Sequence, residues 1–361
     1  MIWLTWRQFR AQAITAIAAL AAFAILLAVT ESRMTSLYAA SGITRCHRGR
    51  CAGRASQFLV DLTSGRSFPL LPDGSNACVI LYFLSVLVIL AAPAIIGIFW
   101  GAPLIARELE TGTGRLVWNQ SITRTRWLAV KLTLIGVAAM AVAEAFSLLQ
   151  AWWAAPIGKA VGLGGSASII TEGRFGPFVF PTHGITPLGY AAFAFALGVT
   201  AGLLIRRAIP AMAVTLAIFA LVQFATPLWV RPHLIPPSQT IASIEAAHAN
   251  ATAADPTTIT FTADVPGHPG AWIISTGAVN AAGHPAGGIP AACESVIPRD
   301  LGPGGSPALD HCLARHGIRI ALSYQPLGRY WPLQFAETGL FLALALGLSW
   351  FCFWRLGRRL S

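Results

Sequence analysis

The chain has 361 residues, 55% of them hydrophobic and only 11% charged, with a formal net charge of +11 and a mean hydropathy of +0.63. That balance excludes a water-soluble globular domain, because so few charges cannot cover the surface of a chain this long. A surplus of basic residues would point to nucleic acid in a soluble protein; beside long apolar runs it points to anionic lipid, so a lipid membrane and no nucleic acid is the expected partner.

Six windows are long and apolar enough to cross the hydrocarbon core as helices: 11–30, 79–100, 128–150, 187–205, 209–229 and 334–354. Residues 1–10, MIWLTWRQFR, place Trp3, Trp6 and Phe9 at helical spacing with Arg7 and Arg10 opposite. They read as a cytoplasmic interfacial helix or as the aromatic and basic start of the first span. That span is longer than the apolar core of a signal peptide and no clear A-x-A site closes it before Glu31, so it is read as a retained anchor. The first long loop carries Cys46 and Cys51, and Pro93 interrupts the second window. Proline removes one helical hydrogen bond there, which serves either packing or a flexible kink.

Between the second and third windows lies a polar, glycine-punctuated, basic segment, Arg107–Lys131. Glu108 and Glu110 precede Thr111, Gly112 and Thr113, residue types that end one helix and cap another, and an apolar edge at Leu116, Val117 and Trp118 comes next. Between two spans this insert must lie just outside a membrane face. Further on, Glu144 sits roughly 20 Å into the third window, counted from Lys131 at about 1.5 Å per residue. There it faces a pathway, paired with Gln150 or Gln223, or snorkels to water. Pro210 comes after Arg206 and Arg207 in a tight turn between the fourth and fifth windows.

Residues 230–333 are rich in Pro, Gly, Ala, Ser and Thr, with strand-like pieces at 258–262, 271–275 and 318–324 and an irregular stretch at 276–310. Cys293 and Cys312 fall here; sequence proximity favours the pairings Cys46 with Cys51 and Cys293 with Cys312. His311, Cys312 and His316 are near one another but come with no CxxC or HExxH, so no metal site is expected. Glu337, at the mouth of the last window, reads as an interfacial, solvated acid.

The predicted fold is an all-α polytopic membrane protein, six transmembrane helices with a small β-containing extracytoplasmic domain between helices five and six. Its parts are a cytoplasmic interfacial helix (1–10), helices one to five (11–229) with a cytoplasmic coupling loop (101–127), an extracytoplasmic domain (230–333), and the sixth helix with a basic tail (334–361). The side made of 1–10, 101–131, 205–209 and 355–361 holds 12 Lys and Arg in 53 residues against 13 in the 188 of the other. Both termini are therefore expected in the cytoplasm of a plasma-membrane protein.

No GxxxxGK[ST], GxSxG or HExxH occurs, so nothing in the chain cradles nucleotide phosphates or forms a recognisable hydrolytic centre. The stretch LETGTGRLVWNQSITRTRWLAVKL, with the opening MIWLTWRQFRAQ and the closing YQPLGRYWPLQFAETGLFLALAL, resembles the permease subunits of type-2 ABC exporters, actinobacterial ones in particular. The resemblance implies that Arg107, Glu108, Glu110, Thr111, Gly112, Thr113, Arg115 and Leu116 contact a separate ABC ATP-binding subunit. ATP and magnesium would then sit on that partner, with no cofactor in this chain. Two permeases, identical or different, would form the path, and few polar span positions favour a hydrophobic or amphipathic cargo. The alternatives are an ion-coupled transporter or a membrane sensor using Glu144.

Overall fold

The computed structural model describes residues 2–46, 51–63, 77–110, 124–163, 174–255, 258–296 and 306–358. The chain divides into two compact units, Met1–Leu234 with Pro332–Ser361, and Ile235–Trp331.

Six helices in the described residues are long and apolar enough to span a bilayer: Phe9–Ala40, Cys78–Glu108, Thr125–Trp153, Thr186–Ile205, Ala208–Leu234 and Leu327–Arg358. Each contains one of the windows read from the sequence. No glycine or proline falls between Ile2 and Ala40, and the first helix runs unbroken through all 39 residues. Residues 2–10 thus continue into the first span instead of forming a helix of their own. It ends at Gly42, whose φ of 69° is the left-handed conformation that glycine adopts without steric cost.

The fourth span is the centre of the membrane unit: 83% of its apolar window is buried, against 22% for the first, fifth and sixth. Small residues make that possible. After Pro93 the second span widens into a π-turn, Gly97–Gly101, before continuing as Ala102–Glu110. That turn lies backbone to backbone against the fourth span, where a Cβ added to Gly198 would sit 2.2 Å from the Gly97 carbonyl oxygen, and one on Gly202 2.4 Å from that of Ala102. Approach this close is the small-residue packing of membrane helices.

Spans alternate in direction, so one end of the bundle carries the 111–123 insert and the hairpin between spans four and five; we call it the insert end, and the other the far end. At the far end two short helices, Cys51–Thr63 and Ala155–Gly162, bury Phe58, Leu59 and Leu62 with Ile157 in one apolar cluster. Neither was expected from the sequence. A disulfide joins Cys46 to Cys51 beside the first of them.

The second unit is built on strands β1 (Ser238–Ser243), β2 (Asn250–Asp255), β3 (Thr258–Thr262), β4 (Trp272–Val279) and β5 (Arg319–Gln325). Its sheet has the order β1-β5-β4, all antiparallel, with Ile241 opposite Ala321 and Gly277 opposite Ala321 on the other side; β2 and β3 form a separate hairpin. Ile320, Leu322, Leu309 and Leu313 fill the core with Phe261. The helix Pro307–Arg315, which begins within the stretch read as irregular, is capped by the Ser306 hydroxyl and carries Cys312, bonded to Cys293. Because β1 and β5 are neighbours, the unit starts and finishes at one place: Gln325 Nε2 donates to the Ile235 carbonyl at 2.7 Å and Arg329 Nη1 to that of Pro236 at 2.6 Å.

Candidate functional site

At the insert end, the helix Ala102–Glu110 brings three of the expected residues to the bundle. Glu108 forms an ion pair with Lys131 of the third span, the two side chains being 17% and 4% exposed. Lys131 also lies 4.5 Å above the Trp127 ring, which faces its charge with the electron-rich side of the indole. Two residues on from Glu108, Glu110 Oε2 accepts from the Ala208 amide at 3.4 Å. Ala208 opens the fifth span, so a carboxylate sits where the first turn has unpaired N–H groups and a positive partial charge. Arg107 is exposed on the same helix. Thr111, Gly112, Thr113, Arg115 and Leu116 lie outside the described residues.

Glu144 is half-buried in the third span, and its Oε2 has no hydrogen-bond partner. Among the described residues no hydrogen bond joins it to Gln150, whose amide is buried and unpartnered at both atoms, or to Gln223. Gln223 instead lines a groove of about 480 Å³ between spans two and five. Phe83, Leu87, Phe219 and Phe224 make the groove apolar, and Phe178 with Val179 also line it.

Towards the far end lies a cluster the sequence reading did not assemble. Arg231 and Glu337 are both 0% exposed and paired twice, Nε to Oε2 at 2.8 Å and Nη2 to Oε1 at 3.1 Å. Tyr190 of the fourth span donates its hydroxyl to Glu337 Oε1 at 3.0 Å, and the Arg231 guanidinium stands 4.1 Å over the Phe180 ring. Glu337 is thus a buried, neutralised acid, not a solvated interfacial one. It was misread because the fifth span was ended at 229, which counted Arg231 as a loop charge. The helical chain passes through a π-turn, Thr226–Val230, and carries Arg231 on to Leu234. The rule that an acid in a span needs a named partner was the available signal.

Gln334, one turn before Glu337, caps the fourth span: its Oε1 accepts from the Ile185 and Thr186 amides, both at 3.2 Å, and its Nε2 donates to the Phe180 carbonyl. His183 lies in the same far-end segment. Burial pushes its imidazole below the ordinary value; the Val179 carbonyl, 3.0 Å from Nδ1, pulls the other way, and the Arg174 charge lowers it further. In the second unit, Cys293, Cys312 and His316 bring their ligand atoms within 4.8 Å of one another. The two sulfurs are bonded to each other, however, and offer no thiolate to a cation.

The membrane unit thus has six candidate spans, a glycine seam between spans two and four, an apolar groove between spans two and five, and the carboxylates of Glu108 and Glu110 at the insert end. Residues 17–231, more than half the chain, match the family described as ABC-2 membrane transporter related. The chain belongs to that family. No curated protein and no solved structure matches it. An ABC-2 permease of this kind is a multi-pass membrane transport component. The family match begins inside the first span, takes in spans two to four, ends at Arg231 inside the fifth, and stops before the second unit.

Proposed function

We propose that the chain is the membrane-spanning permease of an ATP-driven exporter in the plasma membrane, with both termini in the cytoplasm. A separate ABC ATP-binding subunit, carrying ATP and magnesium, would dock on the insert that begins at Arg107. The observation that carries this reading is the double attachment of the helix leading into the insert: Glu108 holds the third span through Lys131, and Glu110 holds the first turn of the fifth. A push on the insert therefore reaches two spans at once. The absence of any phosphate-cradling motif is consistent with nucleotide chemistry on a partner. The apolar groove between spans two and five supports a hydrophobic or amphipathic cargo. Two permeases, alike or different, would enclose the path.

The test is capture of the ATP-binding chain from detergent-solubilised membranes by the full-length protein. Wild type is expected to retain a nucleotide-binding partner, and Glu110→Ala to lower nucleotide-dependent export at least tenfold while the protein still folds. Glu108→Ala leaves Lys131 buried without its counter-charge, a loss of about 3–5 kcal/mol, and is expected to lower the yield of folded protein as well. Retention of no ATP-binding chain, with export unchanged in Glu110→Ala, would remove the coupling reading. One observation favours a second reading, an ion-coupled carrier or sensor: the unpartnered Oε2 of Glu144. Cargo movement under a proton gradient without ATP, abolished by Glu144→Gln, would establish it.

A further inference from the structure

We propose that Arg231, Glu337 and Tyr190 form a latch closing the far end of the transport path, released when cargo fills the groove between spans two and five. The inference rests on the transport reading above.

Three features separate this cluster from an ordinary structural ion pair. First, the pair is wholly buried yet incompletely served: Arg231 Nη1 and the neighbouring Thr338 hydroxyl have no hydrogen-bond partner. Buried polar groups in a settled interior are partnered, and a buried ion pair adds little that apolar packing would not, so its value lies in a contact that is either made or broken. Second, Arg231 directly succeeds the π-turn Thr226–Val230, where Pro227 supplies no amide. A π-turn holds one residue more than the α-turn it replaces, and tightening it rotates the helix beyond it by about 100°. That motion takes the guanidinium off Glu337. Third, one groove residue touches the cluster and another is the chain neighbour of a ring that does. Phe219 meets the Tyr190 ring edge-on at 6.2 Å, and Val179 precedes Phe180, the ring under Arg231. An occupant of the groove thus meets Phe219, which backs Tyr190, and Val179, which is bonded to Phe180. The latch ties span four to span six through Tyr190, and span five to span six through Arg231.

The experiment uses full-length protein in lipid nanodiscs and needs neither cargo nor ATPase. Thr338→Cys, buried beside Glu337, is the reporter, with the buried thiols Cys78 and Cys352 replaced by serine. The rate of modification by a charged maleimide is read. Glu337→Gln is expected to raise it at least tenfold, and Tyr190→Phe, which leaves the ion pair intact should the first variant fail to fold, about threefold. Ala220→Trp fills the groove with an attached ring and is expected to raise the rate severalfold. Ala139→Cys, buried in the third span, is the control and should stay slow throughout. An unchanged reporter rate in Glu337→Gln and Tyr190→Phe, or an equal rise at Ala139→Cys, overturns the latch. An unchanged rate in Ala220→Trp overturns its link to the groove. Failure to capture an ATP-binding chain removes the coupling reading and leaves these rates to decide the latch.

Discussion

Gly198 shows how much one missing side chain sets. Its position 2.2 Å from the Gly97 oxygen and 2.8 Å from the Ala102 amide, measured from an added Cβ, leaves no room for a methyl group unless two helices part. Gly198→Ala is expected to destabilise the membrane unit by about 1–3 kcal/mol, read as a lower thermal midpoint in detergent. Gly339→Ala is the comparison, because nothing lies within 4 Å of its added Cβ and alanine is the better helix former. Equal midpoints for the two variants would contradict the seam. Residues of this kind are hard to read in a sequence: a glycine four positions from another marks a close approach only once the facing helix is known. Glu108 and Glu110 stood out because acids are rare beside spans, whereas Ala208, which holds Glu110 through its backbone, carries no side-chain signal at all.

Elements were legible in proportion to how much of their cause is local. Twenty apolar residues in a row suffice to announce a span, so all six windows were found, although several helices overrun them. The far-end helices were missed because their apolar stripe, Ala55, Phe58, Leu59 and Leu62, is only two turns long and depends on Ile157 for its partner. Strands β3 and β5 and the first half of β4 carry β-branched and aromatic residues and were seen, while the rest of β4, Thr276–Val279, fell in the stretch read as irregular; β1 and β2, SQTIAS and NATAAD, owe their form to their neighbours. The far-end segment 174–185 has a pH dependence of its own. Because His183 titrates below its unfolded value, its contribution is present above about pH 6.5 and is lost as pH falls through the folded-state value. The stability of wild type should therefore fall below pH 6.5, by up to about 1.4 kcal/mol per pH unit and read as a falling thermal midpoint, and that of His183→Gln less steeply. Parallel profiles would show that another group governs the loss.

For the molecule as a whole, the two units are joined in a way that makes the second a removable insertion. Its first and last strands pair, and Gln325 and Arg329 staple the two ends of the excursion together. Replacing residues 235–326 by a short glycine-serine linker, which spares the sixth span from Leu327 on, should accordingly leave the spans folded, checked by a monodisperse elution profile and a thermal midpoint near that of wild type. Aggregation of the shortened chain would mean that the spans need the insertion.

The enclosed fourth span has one more consequence, for the surrounding lipid. It is the shortest of the six at 20 residues, about 30 Å of helix, while the first and sixth run to 32. Bilayer thickness acts on the rods that lipid touches, and this one is sheltered from it. The longer, lipid-clad rods adjust by leaning, each at a fraction of a kcal/mol per Å, so thin and thick membranes alike should accept the bundle without prising open its core.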